Sequence, residues 1–211
     1  MPFKRNIAVA AMMLASLTGC SGDAYGPKRN GGGEGAPVGS TASVIDPTGD
    51  LFGSGDSRWD LTAMTVARDT GGITVVLEFS RDVLSPVHFD SAAMFAVVDL
   101  DLDQNGATGR QSVVDEFRLD GGATGIRDEG LIDLTRMTPD STVPVTDSLS
   151  HALGFVKPVI SGNRVTVRVP RALIGNDEGG LNVTAIVGNR ANPTDFIPNA
   201  GHLTLGRDPR S

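Results

Sequence analysis

The sequence predicts an all-β domain, an antiparallel β-sandwich or jelly roll, and three observations carry that expectation. Apolar and polar residues alternate at a period of two over several segments. Turn-forming Gly, Asn, Asp and Pro recur between those segments at the spacing of a sandwich. No stretch of about twelve residues keeps a clean 3.6-residue period, so long amphipathic helices are not expected.

The chain opens differently from that domain. Lys4 and Arg5 precede an apolar run from Ile7 to Leu17, and Thr18 and Gly19 lead to Cys20, the sole cysteine. A positive start, an apolar segment of about ten residues and a small-residue cleavage site describe a secretory signal too short to span a bilayer. Leu17-Thr18-Gly19-Cys20 resembles the lipobox of bacterial lipoproteins. The resemblance implies that residues 1–19 are a signal peptide and that the Cys20 thiol receives a diacylglycerol. One acyl chain contributes about 0.8 kcal/mol per buried CH₂ and binds marginally, so stable anchoring needs the further chains a lipobox implies. The expected address is the bacterial cell envelope, lipid-anchored, and Ser21 behind the cysteine fits the outer rather than the inner membrane. Acylation consumes the only thiol, which excludes disulfides, thiolate catalysis and cysteine metal sites.

Residues 20–43 read as the lipidated cysteine and a Gly-rich tether. Asn30-Gly31-Gly32-Gly33-Glu34-Gly35 follows no strand and opens no helix, so its glycines signal flexibility, not a phosphate loop. Residues 44–208 are expected to form one domain, roughly 165 residues that bury about two-thirds of their unfolded surface. Its first strand candidate is Leu61–Arg68. Behind Gly71-Gly72, Ile73, Val75, Leu77 and Phe79 alternate with Thr74, Val76, Glu78 and Ser80, a half-buried strand. Met94–Leu102 and Val113–Leu119 are the next candidates. Phe155–Ile160 is expected to turn through Ser161-Gly162-Asn163 into a strand carrying Val165, Val167 and Val169. Arg171–Ile174 behind Pro170 makes one helical turn at most, and Leu181, Val183, Ala185 and Val187 mark a last strand.

Loss of residues 1–19 removes Lys4 and Arg5, so 18 basic residues fall to 16 against 25 acidic ones and the net charge moves from −7 to −9. Such a chain is repelled by phosphate backbones, and nucleic acid is not an expected partner. The acids concentrate at Asp99-Leu100-Asp101-Leu102-Asp103-Gln104-Asn105-Gly106. In an extended strand Asp99, Asp101 and Asp103 project from one face at intervals of roughly 7 Å, while Val98, Leu100 and Leu102 fill the other. Stacked carboxylates repel unless water screens them or a cation sits among them. Hard oxygen donors suit Ca²⁺, and Asp99, Asp101, Asp103 and Asn105 are the candidate ligands, with Asp115 or Glu116 available to complete the set. From Asp101 the spacing Asp-x-Asp-x-Asn-Gly matches half an EF-hand loop, but position twelve is Ser112 and no helix is expected on either flank. An EF-hand is therefore not predicted. A solvated acidic turn is the competing reading, since Asp, Asn and Gly favour turns for backbone reasons alone.

Asp46-Pro47-Thr48-Gly49-Asp50, Trp59-Asp60-Leu61-Thr62 and Asp99–Gly109 resemble segments of secreted DOMON-like β-sandwiches, including modules similar to carbohydrate-binding family 9. Val169–Gly175 and Thr194–Gly201 are similar as well, so the resemblance covers most of residues 44–205. It implies a sandwich that binds sugar, haem or calcium, with Asp101, Asp103 and Asn105 as calcium ligands and Asp46 or Asp50 approaching the same loop. The chain departs from a sugar-binding pattern in having one Trp and one Tyr, Tyr25 lying in the tether and Trp59 standing alone as a platform. The spacing of His88, His151, His202, Met64, Met94 and Met137 indicates no axial ligand, and haem is not expected.

No complete catalytic motif is present. Gly55-Asp56-Ser57 resembles the nucleophile block of one esterase family, but His202 has Asn199, not Asp, three residues before it. No Gly-x-Ser-x-Gly elbow or zinc helix occurs. Asp128-Glu129 and Asp177-Glu178, beside glycines, read as exposed turns. The sequence thus favours a non-enzymatic envelope lipoprotein whose calcium-stabilised sandwich binds a ligand, possible occupants being a carbohydrate or an envelope protein. The alternatives are an envelope hydrolase of esters or glycans and a structural subunit of an envelope complex.

Overall fold

The computed structural model describes residues 40–52, 57–83, 94–118, 122–175, 180–189 and 192–206. The signal segment, Cys20, the tether up to residue 39, Gly55-Asp56, His88 and Asp177-Glu178 lie outside the described residues. In chain order the strands are β1 (Thr41–Ile45), β2 (Leu61–Asp69), β3 (Gly72–Phe79), β4 (Met94–Asp101) and β5 (Arg110–Gln111). A short helix, α1 (Val113–Phe117), separates these from β6 (Arg127–Asp128), β7 (Gly130–Asp133), β8 (Val143–Asp147) and β9 (Ala152–Val156). Then come β10 (Val159–Ser161), β11 (Arg164–Pro170), β12 (Leu181–Asn189), β13 (Asn192–Ile197) and β14 (Leu203–Leu205).

All described pairings are antiparallel. Among the described residues one sheet runs β1-β2-β3-β11-β10 and a larger one runs β13-β12-β4-β7-β8-β9, with β14 on the start of β12. The period-two pattern explains how they meet. Met64, Ile73, Val75, Leu77 and Val167 of the first sheet and Val98, Leu100, Ile132, Val145 and Val183 of the larger one share a single buried cluster. Each such side chain contributes about 1.5–3 kcal/mol on burial. Register keeps the match: Val165, Val167 and Val169 of β11 lie opposite Leu77, Val75 and Ile73 of β3. The result is the expected antiparallel sandwich.

The larger sheet is also covered on its outer side. Val97, Val114, Leu131 and Ile186 form a second buried cluster, joined by Phe52, Phe95, Phe117 and Phe196. This face matters for function, because β4 alternates Ala96, Val98 and Leu100 inward with Phe95, Val97, Asp99 and Asp101 outward.

Three local expectations change. Within the stretch expected as the strand Val113–Leu119, of which Leu119 lies outside the described residues, Val113–Phe117 is a helix. Ser112 caps it, its Oγ accepting from the Val114 N–H at 3.2 Å, and Asp115 and Glu116 stand in the first turn. Phe117, four residues from Val113 and so on the same helix face, packs edge-to-face on Phe95 at 5.7 Å. Phe155–Ile160 is split at Pro158, which has no N–H for a ladder. β9 stays in the larger sheet and β10 joins the smaller one, so the chain changes sheets there. Lastly, β1 opens at Thr41, inside the stretch assigned to the tether, and pairs with β2 from Thr41↔Ala67 onward.

Candidate metal centre

β4 ends at Asp101, and the chain turns at Gln104 with φ of 57°. The turn gathers acids instead of extending the ladder. Asp101, Asp103 and Glu129 each offer a carboxylate oxygen, and these atoms lie within 4.8 Å of one another. Asp101 is buried; its Oδ1 accepts from the Gln104 N–H at 2.7 Å and its Oδ2 from Asn182 Nδ2 at 2.9 Å. Glu129 Oε2 accepts from the Leu102 N–H at 2.8 Å, which ties the second acid to the end of β4.

Thr108 occupies the middle of this arrangement. Its Oγ1 lies 2.8 Å from Asp103 Oδ2, 2.8 Å from Glu129 Oε1 and 3.0 Å from the Asn105 carbonyl oxygen. A hydroxyl has one proton to donate, so one hydrogen bond cannot serve three acceptors. The Asn105 carbonyl also accepts the Thr108 N–H at 3.1 Å, so the carboxylate oxygens of Asp103 and Glu129 are left to compete for the one hydroxyl proton. Burial, and then the charges of Asp103 and Asp101, raise the Glu129 pKa; burial also raises that of Asp101, with Asp103 adding to it. Gly109, at φ of 72°, lets the loop close: a Cβ there would stand 2.8 Å from the Asp128 carbonyl and 2.9 Å from Glu129 Oε1.

The predicted ligands separate into two groups. Asp101 and Asp103 come together. Asn105 takes part through its carbonyl, since its Oδ1 accepts from the Ala107 N–H at 3.1 Å. Asp99 leaves the cluster: its Oδ2 accepts from Ser112 Oγ at 2.6 Å and from the Val114 N–H at 3.1 Å, pinning the start of α1. Asp115 instead receives the Thr124 N–H at 2.7 Å, and Glu116 is exposed beside a different cleft. Sequence reasoning missed Glu129, whose neighbour Asp128 is fully buried against Arg110 at 2.7 Å, not on an exposed turn. β5 pairs with β6 in Arg110↔Asp128, and this long-range pairing brings Glu129 to the loop. Viewed from Asp101, position twelve is indeed Ser112, yet α1 follows it directly, so the exit flank is helical after all. Glu129 provides a carboxylate the loop's own twelfth position lacks.

Asp46 and Asp50 do not approach this loop. They group with Asp195, again with one oxygen from each within 4.8 Å of the others. Asp101 pairs with Asn182 and Asp195 with Val187, five residues apart on β12, so about 17 Å of strand separates the two clusters.

Other candidates find ordinary partners. Trp59 is 2% exposed and packs edge-to-face on Phe79 at 6.2 Å, so it belongs to the core and offers no sugar platform. His202 Nδ1 lies 2.7 Å from the Thr124 carbonyl, and His151 pairs with Asp147 at 3.3 Å. Asn199 donates to Asp46 and Asp50, away from His202. A cleft of about 310 Å³ opens on the outer face of the larger sheet, its lining including Phe95, Val97, Phe117 and Leu131 together with Arg110 and Arg136. Among the described residues no helix is long and apolar enough to cross a membrane.

Sandwich and acidic clusters together define an antiparallel β-sandwich with oxygen-rich candidate cation sites. No protein-family model matches the chain, and a search of curated proteins finds no match.

Proposed function

We propose that this chain is a cell-envelope lipoprotein, anchored through Cys20, whose sandwich is a non-catalytic binding module stabilised by Ca²⁺ at Asp101, Asp103 and Glu129. One observation carries the calcium reading. Two carboxylate oxygens, from Asp103 and Glu129, share the one Thr108 hydroxyl proton, with the Asn105 carbonyl and the buried Asp101 beside them. A hard divalent cation takes six to eight oxygens of this mixed carboxylate, hydroxyl and carbonyl kind. The bond lengths of a transition-metal site with nitrogen or sulfur are not in question here, because the cluster supplies only oxygen.

The DOMON-like resemblance fits the same reading, and the cleft above Val97 and Leu131 is where a ligand would bind. A lining that combines apolar Phe95, Val97, Phe117 and Leu131 with Arg110, Arg136, Glu116 and Ser150 suits a carbohydrate or a peptide segment of an envelope protein. Calorimetric titration of calcium into the full-length protein in a non-ionic detergent tests the metal. Saturable binding that weakens at least about tenfold in Glu129→Gln and in Asp103→Asn is the expected result. Equal binding by wild type and both variants would remove the cluster as a calcium site.

A further inference from the structure

The second acidic group sits at the edge where the two sheets of the sandwich come together. Asp46 and Asp50 follow β1, the edge strand of the smaller sheet, and Asp195 lies on β13, the edge strand of the larger one. Asp46 and Asp195 are 4% and 1% exposed, while Asp50 is exposed and leaves the group open to solvent on one side. Asp195 Oδ2 accepts from the Leu61 N–H at 2.7 Å and its Oδ1 from the Phe196 N–H at 2.9 Å. The Asn199 amide nitrogen donates to Asp46 Oδ1 at 2.9 Å and to Asp50 Oδ2 at 2.5 Å. Buried Asp60 stands beside them, its Oδ1 taking the Gly49 N–H at 2.9 Å.

A cluster of acids alone is common on protein surfaces. Here an independent observation points to a ligand: Asp46 Oδ2 is buried and has no hydrogen-bond partner. A buried carboxylate oxygen without a partner is unfavourable, because it gives up its water and gains no donor in return. Burial, with the charges of Asp50 and Asp60, raises Asp46 from 3.8 to about 7; burial, with Asp46 and Asp50, raises Asp195 to about 8. The group is thus arranged at a cost that bare carboxylates do not recover.

We infer that Asp46, Asp50 and Asp195 form a second divalent-cation site that staples the smaller sheet to the larger one at this edge. One carboxylate oxygen each from Asp46, Asp50 and Asp195, with solvent entering past Asp50, supply hard donors for Ca²⁺. A half-turn of the Asn199 amide exchanges its NH₂ for Oδ1 and adds another oxygen. The residues joined are far apart in sequence, so the cation would close a long loop in a chain whose one cysteine is the proposed lipid site. The inference extends the calcium reading but does not depend on the Asp101 loop.

Trp59, the only tryptophan, makes the two sites separable. It stands beside Asp60 and two residues before Leu61, whose amide Asp195 accepts, so Tb³⁺ bound at this group is sensitised by exciting Trp59, an effect that fades over short distances. The full-length protein in non-ionic detergent is titrated with Tb³⁺, and calcium stoichiometry is read by calorimetry. The expected result is saturable Trp59-sensitised emission that excess calcium displaces. Its apparent affinity falls at least about tenfold in Asp46→Asn and in Asp50→Asn and persists in Asp101→Asn with Asp103→Asn. Calcium stoichiometry should drop by one in Asp50→Asn, an exposed change that should leave the EDTA-treated melting temperature no lower than wild type. Absence of saturable emission, or emission unchanged in both Asp46→Asn and Asp50→Asn, overturns the inference. So does emission lost only with Asp101 and Asp103. A single cation that Asp50→Asn removes would uphold this site while sinking the Asp101 reading.

Discussion

At Thr108 two carboxylate oxygens, from Asp103 and Glu129, compete for one hydroxyl proton, and at Asp46 a buried carboxylate oxygen has no hydrogen-bond partner. Both conditions predict how protons act when calcium is withheld. Asp46, Asp128 and Asp195 have folded pKa values raised to about 7, 8 and 8, burial being the first cause in each, and Asp99 is raised to about 6. A carboxyl whose folded pKa exceeds its unfolded value binds its proton more tightly when folded. The stability it contributes is complete below about pH 4 and is lost as pH rises through the folded value. In EDTA, therefore, the melting temperature should fall as pH rises from about 5 to about 8. Saturating calcium should flatten that slope, since cation and proton compete for the same oxygens. A melting temperature in EDTA that rises over this range would contradict the burial account of these acids. The side chains themselves were only partly legible. Asp101 and Asp103 could be named from their spacing, whereas Glu129 and Asp195 could not, because each reaches its group through strand pairing that no local pattern records.

Among the elements, the strands with clean alternation were legible and those set by tertiary context were not. β3, β11 and β12 carry apolar residues at their inward positions, aliphatic except for Phe79, and a period of two sufficed to place them. α1 was not legible as a helix, because five residues are too few for a 3.6-residue period and its start depends on Asp99 from β4. That dependence is testable. Ser112→Ala removes the cap and the 2.6 Å bond to Asp99, and should cost about 1–2 kcal/mol, read from denaturant unfolding. A change below a few tenths would mean that α1 is held by Phe117 packing on Phe95 alone. The β2–β3 hairpin depends on a glycine in a different way. Gly72 has φ of 146°, and a Cβ there would fall 2.0 Å from the Val169 carbonyl oxygen. Gly72→Ala should cost about 2 kcal/mol or more, a drop of roughly 4–8 °C in melting temperature, by forcing β3 away from β11. Wild-type stability in that variant would show that the approach of the two backbones is not as tight as the geometry requires.

For the whole molecule, one hydrophobic core between two sheets implies one cooperative transition. Leu77→Ala, at the centre of that core, should lower stability by about 2–5 kcal/mol without splitting the transition. Two separate melting steps would mean that the sheets unfold independently. The proposed cation sites act at this scale, one tying the β4 turn to the segment after β6, the other tying the sheets at their shared edge. A sandwich on a lipid anchor, with its single thiol given to lipid, is held together without disulfides on this reading, and cations supply the cross-links. The most direct measurement is the melting temperature of the full-length protein at about pH 7.5 in EDTA and in calcium at about a hundred times its dissociation constant. Binding to the folded state alone at that excess contributes about 2.7 kcal/mol per site, so each site should raise the midpoint by roughly 5–10 °C. Replacing Asp101 and Asp103 together by Ala should remove one such increment and leave the other. An unchanged midpoint in wild-type protein at millimolar calcium would contradict the account.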